Sequence, residues 1–290
     1  MKIVSIREGL GNQMFQYAFA LILKERYRHE RILIDPHYLG TYECHNGYEL
    51  DRLFDLKLRE AKPWEIALLT RYCREYKKWI RYRKQGSRRK TECFEPRYGI
   101  FVPNALDIRG WCYYDGYWQA SDYFAPYHEV LKRAFVFKPF DDEKNKALAQ
   151  QLQAENSVIM HVRRGDYVGK KRYEGTCAPA YYRQAFNEAK RLLGEVRLFV
   201  FSNDIPWCRQ HLPEMLGSDN ITFVDHNVGS DSYRDMQLMT YARFLILANS
   251  SFSWWGAFLN NRPDKIVVAP SAWINLENVA RIQEPDWIVI

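Results

Sequence analysis

The sequence lacks any uninterrupted apolar stretch of about 18 residues, the length that a membrane-spanning helix requires. Its N-terminal segment turns polar after six residues, which is too soon for the apolar core of a signal peptide. The six cysteines form no Cys-x-x-Cys pair and have no histidines at the spacing of a zinc site. We therefore expect a cytoplasmic protein with free thiols and without a structural zinc ion.

Acidic residues are almost missing from one segment of the chain. Residues 71–90 contain ten basic side chains and a single acidic one, Glu75, so the segment carries a net charge of +9 in a protein whose total is +7. Aromatic and aliphatic residues interleave with these charges at helical spacing. This pattern is typical both of helices that lie on an anionic membrane and of solvated helices that cover a domain. No recognised nucleic-acid-binding motif accompanies the charge, so we expect no nucleic-acid partner.

Strand-like and helix-like segments alternate in two parts of the sequence, which predicts an α/β fold with two domains. In the first part, a strand over 2–6 precedes a glycine-containing loop and a helix over about 13–27 that is apolar nearly all round. The strands predicted in the second part span 157–162, 197–201, 221–224, 244–247 and 265–269. We predict domains over 1–150 and 151–290, with a basic helical insertion near 62–97.

Ligands of such sheets bind beyond the carboxyl ends of the strands, and unusual residues follow four predicted strands. The first group contains Gly9 and Gly11, which let backbone approach an anion at the start of a helix. Together with Asp35 at the end of the next strand, it also resembles the start of a dinucleotide-binding fingerprint, which would indicate a nicotinamide-dependent oxidoreductase. Met14 stands at the third glycine position of that fingerprint and argues against it.

The second group follows the strand over 157–162. With a two-residue period, His161 and Arg163 project from the same face where the strand ends. Arg163 can hold a phosphate through two N–H groups, which a lysine cannot do. Arg164 and Asp166 follow directly, and an Arg–Asp ion pair that braces the loop is the alternative to a ligand-binding role.

The third and fourth groups follow the strands over 197–201 and 244–247. Asp204 offers a carboxylate to the N–H edge of a guanine or to a ribose hydroxyl, and it could equally cap the next helix. Ser250 and Ser251 stand at the start of an apolar helix, where hydroxyl and N–H groups favour an anion. Capping alone is the other interpretation of these two serines.

Taken together, the motifs resemble those of the bacterial α-1,2-fucosyltransferases of glycosyltransferase family 11. The resemblance rests on GLGNQMFQYAFA at 9–20, GYWQASDYF at 116–124, HVRRGDY at 161–167, FSND at 201–204 and NSSFSWWGAFL at 249–259. It implies a GT-B-type architecture, in which two Rossmann-like domains face a cleft. It also implies inverting transfer of L-fucose from GDP-β-L-fucose to the 2-hydroxyl of a β-linked galactose, with no cofactor and no required metal.

The same resemblance implies roles for individual residues of the second predicted domain, which would bind GDP-fucose. Arg163 would hold the β-phosphate, with Arg164 beside it. His161 and Asp204 would contact the guanine. Ser250 and Ser251 would donate to the pyrophosphate.

The first predicted domain would lie on the acceptor side. There the resemblance implies that Gly11 and Asn12 approach the donor across the cleft. The acceptor hydroxyl must lose a proton, for which we consider Asp166 first and Glu8 second as the general base.

Three alternatives remain open at this stage: the oxidoreductase, a fucosyltransferase of another linkage, and a non-enzymatic protein that binds membranes or polyanions through 71–90. For the preferred enzyme, the expected partners are GDP-L-fucose and a β-galactoside glycan. We also expect peripheral contact with the inner face of the cytoplasmic membrane through 71–90.

Overall fold

The computed structural model describes the 290 residues apart from 41–44, 74, 85–87 and 155, and apart from the side chains of residues 40 and 76. Cys44 and Arg74 therefore lie outside the described residues. The chain divides into two compact units. The first comprises Met1–Lys138 and Asn278–Ile282, and the second comprises Pro139–Glu277 and Gln283–Ile290.

The first unit contains a sheet of four parallel strands in the order β2-β1-β4-β3. Its strands are β1 (Lys2–Ser5), β2 (Ile32–Asp35), β3 (Glu92–Phe94) and β4 (Cys112–Asp115). Its helices are α1 (Leu10–Arg26), α2 (Leu50–Leu53), α3 (Pro63–Leu69), α4 (Tyr76–Lys84), α5 (Ser121–Phe124) and α6 (His128–Ala134). The predicted first two strands are present, whereas β3 and β4 were not predicted.

Helix α1 packs against strands β1 and β2. Most of its residues are buried, as its nearly uniform apolar composition predicts, but the buried set includes Gln13 and Gln16. The Gln16 Oε1 accepts the backbone N–H of Arg7 at 2.8 Å, and its Nε2 donates to the carbonyl of Gly116 at 3.2 Å. These two bonds tie the helix to the segments that follow β1 and β4.

The basic segment over 62–97, predicted as a helical insertion, contributes to the core and to the sheet of the first unit. Helix α4 places Trp79 in full burial, with its ring centroid 5.7 Å from that of Phe94 and 5.9 Å from that of Tyr113. Strand β3 also lies in this segment and pairs with β4. Most of the basic side chains of this segment are exposed, whereas Trp79 is buried in the core and Arg83 pairs with buried Asp115.

The second unit contains a sheet of six parallel strands in the order β10-β9-β8-β5-β6-β7. Its strands are β5 (Ser157–Val162), β6 (Arg197–Ser202), β7 (Ile221–Val224), β8 (Phe244–Ile246), β9 (Ile266–Ala269) and β10 (Ile288–Val289). Its helices are α7 (Glu143–Leu152), α8 (Pro179–Leu193), α9 (Ile205–Leu216), α10 (Tyr233–Met239) and α11 (Ser251–Phe258). The five strands predicted for this part are all present.

The units divide at Lys138 and Pro139, not at the predicted 150/151. Helix α7 therefore belongs to the second unit. Its Asn145 side chain exchanges hydrogen bonds of 2.9 and 3.0 Å with that of Asn227, which lies before α10. Because α7 is polar, its sequence does not indicate which domain it packs against.

None of the helices in the described ranges is long and apolar enough to cross a bilayer.

Half-buried Asp235 in α10 should make stability fall as the pH rises. Burial raises the pKa of its carboxyl to about 7, although the Asn227 Nδ2 donates to it at 2.8 Å. The folded protein keeps this proton while the unfolded chain loses it near pH 4, so folding is penalised increasingly up to about pH 7. The variant Asp235→Asn should gain stability relative to the parent across this range, by up to a few kcal/mol, on the order of 1.4 per pKa unit.

Thermal unfolding of both proteins at a series of pH values between about 5 and 8 checks this expectation. The difference between the two melting temperatures should widen toward the alkaline end. Parallel curves would show that Asp235 does not carry the raised pKa.

Candidate functional site

Strands β8, β5 and β6 are neighbours and run parallel, so the loops that follow them leave the second unit's sheet at the same edge. The loop after β5 begins at Arg163, the loop after β6 contains Asn203 and Asp204, and the loop after β8 contains Ser250. Three of the four predicted groups of residues therefore lie side by side. The group that follows β1 belongs to the first unit.

Arg163 forms an ion pair with Asp166, in which Nε lies 2.8 Å from Oδ1. Its guanidinium carbon lies 5.6 Å from the centroid of the Tyr167 ring. Because the pair uses Nε, the two terminal amino groups of Arg163 can still hold an anion bidentately. Asp166 orients this arginine. The Arg–Asp ion pair that the sequence analysis gave as an alternative is therefore present.

Asn203 holds the loop that carries this pair. Its Oδ1 accepts the backbone N–H groups of Arg164 at 3.0 Å and Gly165 at 3.2 Å. Its Nδ2 donates to the Asp166 Oδ1 at 3.2 Å, the oxygen that also faces Arg163. A Cβ at Gly165 would lie 2.7 Å from the Asn203 Nδ2, so glycine lets the two segments approach. Sequence reasoning missed Asn203, although it quoted the motif that contains it.

Asn203→Ala should reduce kcat/KM for transfer by about tenfold to a hundredfold, because a displaced Arg163 would no longer match a phosphate. The melting temperature should change little, because the bonds that are lost lie at the surface. Steady-state kinetics and thermal unfolding measure the two quantities. Asn220→Ala, at the exposed start of β7, is the matched control, and equal losses of activity in both variants would contradict a positioning role.

His161 is buried beside this pair, with only 4% of its surface exposed. Burial, and then the charge of Arg163, lower the pKa of its imidazole to about 3. The ring is therefore neutral at physiological pH. Its Nδ1 has no hydrogen-bond partner among the described residues, which marks a buried polar atom available to a ligand.

Arg164 turns the other way, toward Asp204 and Trp207. Its Nε lies 3.3 Å from the Asp204 Oδ2, and its guanidinium carbon lies 4.4 Å from the Trp207 ring centroid. The Asp204 Oδ1 also accepts the backbone N–H of Trp207 at 3.3 Å and caps α9. Trp207 was not predicted to belong to the site, and its position within a helix gives no sequence signal for it.

The N-terminus of α11 completes this edge. The Ser250 side chain caps the helix by accepting the N–H of Phe252 at 3.3 Å, and helix α11 begins at Ser251. The preceding Asn249 is buried, and its carbonyl accepts the Tyr167 hydroxyl at 3.2 Å. The start of α11 is thereby joined to the loop of Arg163.

In the first unit, the turn after β1 differs from the predicted glycine loop. Glu8, not a glycine, adopts the left-handed conformation, with φ +66°. Gly9 is the N-cap and helix α1 begins at Leu10, so Gly11 and Asn12 lie in its first turn. A non-glycine residue at positive φ is strained and is often retained for function.

Side chains from α1 and from the segments after β3 and β4 form a hydrogen-bond network with Glu8, which lies in the turn after β1. The Tyr117 hydroxyl donates to the Glu8 Oε1, and the Asn12 Nδ2 donates to Oε2 at 3.2 Å. The Asn12 Oδ1 accepts from the Gln119 Nε2 at 2.6 Å, and the Gln119 Oε1 accepts from the Tyr98 hydroxyl at 2.6 Å. Sequence reasoning found Glu8 and Asn12 but not their partners.

A buried cluster of charges lies behind this network. Asp115 at the end of β4 pairs with Arg7 and, at 2.9 Å, with the Nε of Arg83 from α4. Glu95 accepts the backbone N–H of Tyr117 at 2.6 Å, and burial raises the pKa of its carboxyl to about 7. The basic segment therefore supplies Arg83, one of the two arginines that pair with buried Asp115.

Within the described part of the chain, no group of three or more His, Cys, Asp or Glu side chains is placed to hold a metal ion.

Comparisons with known sequences identify the family. The family model described as Glycosyl transferase family 11 matches residues 100–290. The "Alpha-1,2-colitosyltransferase" of Escherichia coli is 30% identical over 96% of this chain and 93% of its own length. The "O-antigen biosynthesis glycosyltransferase WbnK" of Escherichia coli is 28% identical over 97% of both chains. The "Galactoside alpha-(1,2)-fucosyltransferase 2" of Mus musculus is 27% identical over 56% of this chain and 49% of its own.

Solved structures support the fold. NodZ alpha-1,6-fucosyltransferase, in a crystal soaked with GDP-fucose, has a TM-score of 0.56 and 14% identity, covering 97% of this chain and 96% of its own. POFUT1 in complex with GDP-fucose has a TM-score of 0.50 and 14% identity, covering 93% of this chain and 97% of its own. The α/β, GT-B-like fold class is thus confirmed, and the oxidoreductase and non-enzymatic interpretations are wrong. The chain is a glycosyltransferase and belongs to glycosyl transferase family 11, the family that its motifs indicated.

Proposed function

We propose that this enzyme transfers L-fucose from GDP-β-L-fucose to the 2-hydroxyl of a galactose residue, with inversion at the anomeric carbon. The observation that carries the proposal is that Arg163, paired with Asp166, and buried, neutral His161 stand two residues apart at the end of the central strand β5. The relatives support the linkage, because both the colitosyltransferase and the mammalian enzymes are named as α-1,2-transferases.

The donor would lie along the edge of the second unit's sheet. A neutral imidazole with an unsatisfied Nδ1 suits a nucleobase better than a phosphate, so we assign His161 to the guanine. Asp204 can accept from the guanine N–H edge with the lone pairs that Arg164 and the helix cap leave available. The terminal amino groups of Arg163 would hold the β-phosphate.

The leaving group determines what the enzyme must stabilise. As the C1–O bond of fucose lengthens, negative charge grows on the β-phosphate of GDP and positive charge on the sugar ring. Arg163 and the N-terminal end of α11 at Ser250 and Ser251 are fixed positive groups that match this charge. Because Asp166 and Asn203 hold Arg163 before substrate binds, little reorganisation is needed during the reaction.

We propose Glu8 as the general base, in preference to Asp166. Asp166 is committed to Arg163 and Asn203, and protonating it would weaken the grip on the phosphate. Glu8 is partly exposed, and its strained backbone and two hydrogen bonds fix its carboxylate. Asn12, next to it, would contact the fucose or a phosphate oxygen.

Colitose is a second candidate for the transferred sugar, because the colitosyltransferase is 30% identical over nearly the whole chain. Incubation with GDP-fucose and with GDP-colitose, each with a panel of galactosides, tests both candidates. Mass spectrometry identifies the transferred sugar, and NMR of the product gives the linkage and anomeric configuration. A product linked elsewhere than at O2, or a retained configuration, would contradict the proposal.

We expect transfer to continue undiminished in excess EDTA, since Arg163 and α11 would supply the positive charge that a divalent ion supplies in other glycosyltransferases. Initial rates with EDTA, and with EDTA followed by manganese, measure this. Complete loss of activity that manganese restores would contradict the metal-free mechanism.

A further inference from the structure

Three large apolar side chains lie exposed around one surface pocket of the first unit. Trp64 is 59% exposed, Leu68 is 48% exposed and Trp111 is 54% exposed. We call these three residues the tryptophan patch. The pocket is open, with a volume of about 440 Å³, and its other lining residues are Met1, His29, Glu30, Arg31 and Gly110.

The patch is not explained by the fold or by the proposed active site. Helix α3 buries Ile66 and Leu69 in the core, so Trp64 and Leu68 are additional apolar residues on its outer face. Trp111 directly precedes β4, and Met1 precedes β1. The patch therefore lies at the amino ends of the strands, whereas Glu8 follows the carboxyl end of β1.

The basic segment adjoins the patch. The Arg89 Nη1 donates to the carbonyls of Ala67 at 2.9 Å and Thr70 at 3.2 Å, which places the end of 71–90 against the C-terminus of α3. Arg31, with 60% of its side chain exposed, lines the pocket itself. The side chains of α4 that are exposed to solvent are Lys77, Lys78, Arg81 and Lys84.

We propose that this face of the first unit binds the surface of an anionic lipid membrane. The tryptophan patch would enter the headgroup region, where tryptophan is favoured because its ring is apolar and its N–H is polar. The basic side chains of 71–90 would lie against acidic headgroups. A chain that is slightly acidic outside this segment would be drawn to the membrane by this face alone.

The position of the patch has a consequence for the enzyme. Because it lies at the edge of the sheet opposite to Glu8, membrane binding leaves the turn after β1 accessible. The proposal concerns a surface distinct from the fucosyl-transfer residues and does not depend on the identity of the donor. Its test can therefore fail or succeed independently of the proposed function.

Flotation of the full chain with vesicles tests the proposal. Vesicles that contain phosphatidylglycerol and phosphatidylcholine should carry the protein upward in the gradient, and vesicles of phosphatidylcholine alone should carry much less. Trp64→Ser combined with Trp111→Ser should weaken binding at least about tenfold, since two large apolar surfaces lose their burial in the membrane. Glutamine in place of Lys77, Lys78, Arg81 and Lys84 should weaken it by about fivefold for each residue.

Val136→Ser combined with Val228→Ser is the matched control, because both valines are exposed, at 62% and 70%, and neither lies in the patch. Thermal unfolding of all these variants should match that of the parent, which shows that they are folded. The proposal would be overturned if the protein floated with neither kind of vesicle. Binding that the patch and charge variants leave at the level of the valine control would also overturn it.

Discussion

Replacement of Arg163 by lysine should lower kcat for fucosyl transfer by about 10²–10³-fold, while the protein remains folded. Lysine keeps the positive charge but has no planar fork, so it cannot hold a phosphate bidentately and pair with Asp166 at the same time. The loss should appear mainly in kcat, since the charge on the leaving phosphate grows in the transition state. Steady-state kinetics at saturating GDP-fucose measure it directly.

Arg209→Lys provides the control for this substitution. Arg209 is an exposed arginine of the same unit that pairs with Asp225 at 2.6 Å, so the change is identical in chemistry but lies outside the proposed site. Its kinetics should match those of the parent enzyme. Near-normal turnover of Arg163→Lys at saturating donor would show that another group stabilises the leaving GDP.

The donor-side residues could be predicted from the sequence because each lies at the carboxyl end of a strand or in the loop that follows it. Strands β5, β6 and β8 have apolar cores that are easily recognised, and parallel neighbours end at the same edge. His161, Arg163 and Asp204 are therefore found by position. What position does not give is the pairing: whether Asp166 is a base or a partner of Arg163 depends on distances that the sequence does not contain.

The first unit was predicted less well, for a different physical reason. Strands β3 and β4 have only three and four residues, and they carry cysteine, tyrosine and acidic residues without a clear alternation. Both strands pack against Trp79, β4 pairs with β1, and β3 pairs with β4. Such short strands give too weak a periodic signal for recognition.

The network around Glu8 could not be predicted at all. Tyr117 and Gln119 meet Glu8 and Asn12 across 109 and 107 residues of sequence. Local patterns carry no information about contacts at that separation. The motif at 116–124 indicated a family resemblance, and the fold is what shows its tyrosine and glutamine to be partners of the proposed base.

Glu8→Gln should reduce kcat by about 10²–10⁴-fold and leave KM for GDP-fucose nearly unchanged. Glutamine keeps the length of the side chain and can still accept the Tyr117 hydroxyl, but it cannot take the proton of the acceptor hydroxyl. Steady-state kinetics of both enzymes with varied GDP-fucose measure kcat and KM.

Glu25→Gln is the matched control and should retain full activity. Glu25 lies on α1 and forms an exposed ion pair with Arg28, which follows the helix. Asp166→Asn separates the two candidate bases. If Asp166 orients Arg163, this variant should lose donor affinity, seen as a raised KM for GDP-fucose, and its kcat should fall less than that of Glu8→Gln. A large fall in kcat with unchanged KM in Asp166→Asn, together with full activity of Glu8→Gln, would instead assign proton removal to Asp166 and leave Glu8 as a structural link between Tyr117 and Asn12.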